Sequence, residues 1–276
     1  MTPADANTTN ALDAAAAAIV RTPDLDAKIA LAQRTAKAWF KRHLPLRDGH
    51  TKPVHADAPG RPELPELRAP RDMPRRSARG ARGRFALLHA LAHIELSAVD
   101  MTWDLVARFV GQPMPRTFFD NWVQVGLEEA KHFDLLRKRL VALGGSYGDL
   151  PAHDGLWQAA AATGHDLAAR LAIVPLVLEA RGLDVTPPMI EKLKAADDQP
   201  SAQILEIIYR DEKRHVAFGT KWFRYLCERD GLAPEPRFHS LVRTHFKGGL
   251  KPPFNDRARS EAGLAPGFYK PLTGLV

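Results

Sequence analysis

The sequence contains a single cysteine, Cys227, in 276 residues. No intrachain disulfide and no thiolate metal cluster can be built from it, and so low a content is expected of a protein working in the reducing cytoplasm. Long apolar runs are missing too: the most apolar stretch, Leu171 to Leu178, is far too short to span a bilayer and runs into Glu179. Met1 to Val20 lacks a basic segment and carries Asp5 and Asp13, which does not read as a signal peptide. No stretch alternates with the period of a strand, so the expected class is all-α. With 45% hydrophobic and 26% charged residues, a soluble protein with a sizeable core and no membrane partner is expected.

The formal charge of +7 suggests a polyanion until it is located. Residues 68–84 hold seven arginines (Arg68, Arg71, Arg75, Arg76, Arg79, Arg82, Arg84) against one acid, Asp72, so the excess sits in one segment. Two readings stand, a solvated or carboxylate-paired linker and a phosphate-binding stretch for nucleic acid, and the first is preferred.

Hydrophobic spacing divides the chain into an N-terminal helical segment (1–44), a Pro/Arg-rich connector (45–84), a helical body (85–231) and a C-terminal helix with a docking tail (232–276). Thr22-Pro23 reads as the capped start of a second N-terminal helix. Residues 45–74 carry seven prolines and read as an extended connector. In the body, one helical stripe runs Leu88, Ala92, Glu95, Val99, Thr102, Val106, and a second runs Trp122, Val125, Glu129, His132, Leu136, Leu140. A third helix is expected over 155–182, kinked by Pro175, and Thr186-Pro187 should restart a short one. A fourth long helix carries Leu205, Ile208, Glu212, His215, Gly219, Trp222 and Leu226.

A single Glu-x-x-His is weak evidence, because with 12 Glu and 11 His about half a match is expected by chance. This chain has two, Glu129–His132 and Glu212–His215, each inside an apolar stripe. Glu95 stands 34 residues ahead of Glu129, and Glu179 stands 33 ahead of Glu212. The chain therefore repeats one unit, a helix with Glu followed by a helix with Glu-x-x-His, and a pseudo-twofold would bring all six side chains to one depth. Four buried carboxylates repel unless cations answer them, and two divalent metals would do so. Carboxylate and imidazole ligands suit iron or manganese, and the absence of thiolates argues against structural zinc. The alternative, a network of interhelical ion pairs, would need basic residues on the same stripes, and they supply none. Glu128 and Asp211 are expected to hold the metal-bound imidazoles from behind, each reaching the histidine of the opposite repeat. Tyr209, one turn before Glu212, is a candidate hydrogen-bonding or redox neighbour. His89 and His93 read as packing or supporting groups.

These paired halves resemble the ferritin-like di-iron carboxylate superfamily, and Asp211-Glu212-Lys213-Arg214-His215 is similar to the fourth-helix motif of its oxygenase branch. More narrowly, Leu-His-Ala-Leu-Ala-His-Ile-Glu-Leu (88–96), Val-Leu-Glu-Ala-Arg-Gly-Leu-Asp (177–184) and Leu-Lys-Pro-Pro-Phe-Asn-Asp-Arg-Ala-Arg (250–259) look like a bacterial ferritin-like family catalogued as a domain of unknown function. The resemblance covers about residues 60–265. It implies a four-helix bundle with metal ligands Glu95, Glu129, His132, Glu179, Glu212 and His215, loaded with two iron ions or a mixed Mn/Fe pair. The expected function is an O2-activating oxidoreductase or hydroxylase with a small-molecule substrate and an electron donor. A ferroxidase or iron-handling protein, and a tRNA-modifying hydroxylase, are the alternatives. A homodimer is compatible with the reading.

Overall fold

The computed structural model describes residues 11–47, 54–73 and 80–274. Every regular element among them is helical, and strand-like pairing there is confined to two isolated bridges, Leu67 to Ala152 and Leu250 to Thr273. In order the elements are α1 (Leu12–Arg21), α2 (Leu25–Phe40), α3 (Gly80–Arg108), α4 (Arg116–Ala142), α5 (Gly155–Ala162), α6 (Leu167–Ile173), a π-helical segment (Val174–Glu179), α7 (Ala180–Ala195), α8 (Gln199–Arg229), α9 (Pro234–His245), α10 (Asp256–Glu261) and α11 (Pro266–Tyr269). Single 3₁₀ turns lie at Pro70–Asp72 and Lys270–Leu272. The connector positions 48–53 and 74–79, with Arg75, Arg76 and Arg79, lie outside the described residues.

The described residues form two compact units, those within 1–63 together with 98–131 and those within 64–97 together with 132–276. In the first, α1 packs on α2. The Asp24 carboxylate accepts the Ala27 N–H at 2.8 Å and caps α2, so Pro23 falls outside the helix that Thr22-Pro23 was expected to open. An aspartate that can reach its own third amide is the better cap. Lys28 pairs with Asp100 of α3, with 1% of each side chain exposed, and its ammonium also donates to the Val20 carbonyl. Trp39 donates its indole N–H to Asp120 at 2.8 Å, with the Arg116 guanidinium 3.8 Å above the ring. A Cβ at Gly126 would lie 2.8 Å from the Trp103 indole, so α4 passes the ring closer than any larger residue allows.

In the second unit the expected third helix is broken. α5 ends at Ala162, and the Asp166 carboxylate starts α6 by accepting the Ala168 and Ala169 N–H groups. The buried Arg170 guanidinium donates to Thr163 Oγ1 and to the Ala160 carbonyl, covering the C-terminal end of α5. No restart occurs at Thr186-Pro187; α7 runs straight through Pro187 and Pro188. Pro187 has no N–H for the Leu183 carbonyl one turn back, and Asn255 of the tail donates its Nδ2–H to that oxygen instead, at 3.2 Å. A partner far along the chain thus repairs the local break. Asp198 opens α8, accepting the Ser201 N–H while Arg139 donates to it at 2.8 Å.

The C-terminal residues dock on α7 and α8. Arg259 makes a two-pronged pair with Asp184, at 2.8 and 2.7 Å, and its guanidinium lies against the Phe254 and Tyr269 rings. Arg181 donates to the carbonyls of Lys251 and Pro253. Among the described residues, no helix is long and apolar enough to cross a membrane.

Candidate metal centre

The sequence places one candidate ligand on α3 (Glu95), two on α4 (Glu129, His132), one at the end of the π segment (Glu179) and two on α8 (Glu212, His215). The i, i+3 spacing puts Glu129 and His132 on one face of α4, and Glu212 and His215 on one face of α8. Both faces point inward: Glu129, His132 and His215 are fully buried, and Glu95 and Glu212 retain only 5% and 8% exposure.

Four of the six converge. One ligand atom from each of Glu95, Glu129, His132 and Glu212 lies within 4.8 Å of all the others. Ligands on opposite sides of a divalent ion bound through oxygen and nitrogen at about 2.0–2.4 Å stand about 4–5 Å apart, so this set has the span of one coordination sphere. His132 Nδ1 lies 3.3 Å from Glu95 Oε2. His215 stands beside the group rather than in it, and Glu179 is not among the four that converge. His215 Nδ1 is 3.5 Å from Glu212 Oε1, and the His132 and His215 rings are 5.9 Å apart between centroids. Both carboxylate oxygens of Glu179 are sealed from solvent.

Behind His132, the Nε2 atom is 3.1 Å from Asp211 Oδ2, a buried carboxylate reached from outside by Arg210 (3.4 Å) and Arg214 (3.6 Å). A proton held on Nε2 by Asp211 leaves the Nδ1 lone pair facing the cluster, the tautomer that a metal ligand needs. Glu128 is buried and accepts the Gln124 side-chain N–H at 2.7 Å. Tyr209 accepts a hydrogen bond from Asn255 of the docked tail at 3.2 Å, and Lys213 lies 5.0 Å over its ring.

His89 and His93 do other work. His89 Nε2 accepts the Gly148 N–H, and the ring stacks on Tyr147. His93 faces the Tyr147 hydroxyl with Nδ1 at 2.8 Å and the His153 carbonyl with Nε2 at 3.1 Å, so Nε2 carries the proton. Together they fasten the α4–α5 connector to α3. Sequence reasoning missed Tyr147 and the Asp184–Arg259 lock, since both join positions far apart in the chain. The described members of the arginine segment are largely paired with acids: Arg68 with Glu66, Arg71 with Asp72 and Arg84 with Asp198.

The donor set fits a divalent cation on chemical grounds. Three carboxylates and one imidazole meet where water is shut out, and carboxylates at this spacing cannot all stay ionised without positive charge among them. Hard oxygen donors with one nitrogen suit iron or manganese.

A family model described as a protein of unknown function (DUF455) matches residues 21–270. The chain belongs to that family. It is also 42% identical over 214 residues to an uncharacterised protein of Haemophilus influenzae, covering 74% of this chain and 72% of the relative. No solved structure matches. The DUF455 match spans all six candidate ligands together with Asp211 and Tyr209.

Proposed function

We propose that this chain is a di-iron carboxylate oxidoreductase built on a ferritin-like four-helix bundle. Its four members would be α3, α4, the α6–π–α7 rod and α8. The observation that carries the reading is the convergence of Glu95, Glu129, His132 and Glu212 in a sealed interior. Those four would hold the first ion, and Glu179 and His215 would contribute the ligands of a second. Either two iron ions or a mixed Mn/Fe pair satisfies the donor set. When bound, the ions supply two-electron O2 activation for hydroxylation or desaturation of a small-molecule substrate, with electrons from an external donor.

The protein's own part is positioning. Four glutamates bring four negative charges that two divalent ions cancel, so loading relieves repulsion stored in the metal-free fold. Asp211 fixes the His132 tautomer through Oδ2, and Arg210 and Arg214 bring positive charge to its outer oxygen, Oδ1. Leu176 and Val177 of the π segment and Leu205 and Ile208 of α8 are buried on the elements that carry Glu179 and Glu212, and apolar burial there excludes water. The test is anaerobic loading with ferrous iron followed by exposure to O2. Uptake of O2 with a transient optical band supports the reading, and an optically inert protein that consumes no O2 overturns it.

A further inference from the structure

The α6–π–α7 rod is the irregular one of the ligand-bearing helices. Pro175 cannot donate to the carbonyl one turn back, and the Ala180 N–H reaches five residues back to the Pro175 carbonyl, a π turn. A π turn inserts one residue, which rotates the succeeding residues by about 100° about the helix axis relative to an unbroken α-helix. Glu179 ends that segment. Gly219 of α8 faces it: a Cβ there would lie 2.6 Å from Pro175 Cβ and 2.8 Å from Cγ, so the proline ring rests on bare α8 backbone. Gly219 is one turn beyond His215 on the same face of α8. The ring of Pro175, the gap at Gly219, and the two candidate ligands outside the converged group therefore belong to one packing unit.

We propose that Pro175 and Gly219 are positioning residues that set the register of Glu179, and that the metal centre is thereby built as two unequal positions. The first is preassembled from Glu95, Glu129, His132 and Glu212. The second closes only when Glu179 and His215 move onto an ion, with the π turn supplying the freedom to do so. This inference rests on the metal-centre reading above.

The experiment is a titration of metal-free protein with Co(II), followed by calorimetry and by the visible ligand-field bands. The wild-type protein takes two ions in separate steps, the first at least about tenfold tighter. Glu179→Ala keeps the first step and loses the second. Pro175→Ala lets the π turn relax to an α turn, and Gly219→Ala pushes the proline ring away; each leaves the first step within about twofold and weakens the second at least about tenfold. Should the added methyl of Gly219→Ala prevent folding, Pro175→Ala, which removes ring carbons and restores a backbone N–H, decides. Two equal steps in the wild type, or an unchanged second step in Pro175→Ala, overturns the inference while leaving the metal centre standing. A wild-type protein that binds no ion removes both.

Discussion

Asp100 and Glu95 lie five residues apart on α3, both buried, and their charges are answered in opposite ways. Asp100 is met by Lys28, whose ammonium arrives from α2. Glu95 is met by His132 and by two more carboxylates, Glu129 and Glu212. The first arrangement is the usual one in this chain: Asp104 has Arg108, Asp184 has Arg259, and Asp198 has Arg139. Where the chain needs only structure it brings its own cation to a buried acid. At Glu95 it gathers acids instead, an arrangement whose natural complement is a cation from solution.

The largest expected effect breaks the second arrangement. Glu129→Ala or His132→Ala should cost the converged position its ion, a loss of at least about a hundredfold in affinity read by calorimetry, since even supporting residues are worth ten- to a hundredfold. Both arrangements can also be set against each other in metal-free protein. Lys28→Met should destabilise by about 3–5 kcal/mol in urea, because the buried charge of Asp100 loses the ammonium that meets it. Glu129→Gln should instead leave the metal-free fold as stable or raise it by about 1–2 kcal/mol, because repulsion is relieved. Equal losses in both would erase the distinction.

Asp211→Asn should weaken the first ion by about ten- to a hundredfold with little change in fold, as His132 loses the acceptor that holds its tautomer. Asp198 supplies a pH signature for the ordinary kind of buried acid. Burial works to raise its carboxyl, but hydrogen bonds from Ser201 and the Arg139 pair outweigh that and hold it below the usual value of 3.8. A depressed carboxyl stabilises the fold above its unfolded pKa and loses that contribution as pH falls through the folded value. Below about pH 4, wild-type stability should therefore drop more steeply than that of Asp198→Asn, read as melting temperature against pH. The smallest effect is at the tail: Asn255→Ala should cost about 1 kcal/mol by leaving the Leu183 carbonyl without its donor.

Period and spacing made part of this molecule legible in its sequence. Burial of Glu95, Glu129, His132, Glu212 and His215 is readable because each falls on an apolar stripe, and the doubled Glu-x-x-His lifts the pattern above chance. The all-helical class is readable for the same reason. Less legible is anything depending on contacts across long stretches of chain. Pro175 announces a broken ladder but cannot say whether the break becomes a kink or a π turn; Gly219, forty-four residues later, is the residue that accommodates the ring. Pro187 reads as a helix stop, and the helix continues because Asn255 supplies the missing donor. Convergence stops at four of the six candidate ligands, a difference that equal spacing in the two repeats does not reveal.

The most direct measurement is anomalous scattering at the iron edge from crystals grown with ferrous iron under anaerobic conditions. A strong peak is expected, with Glu95, Glu129, His132 and Glu212 all at about 2.0–2.3 Å from it. A well-ordered interior with no peak, its carboxyls protonated and hydrogen-bonded to one another, would contradict the metal-centre reading.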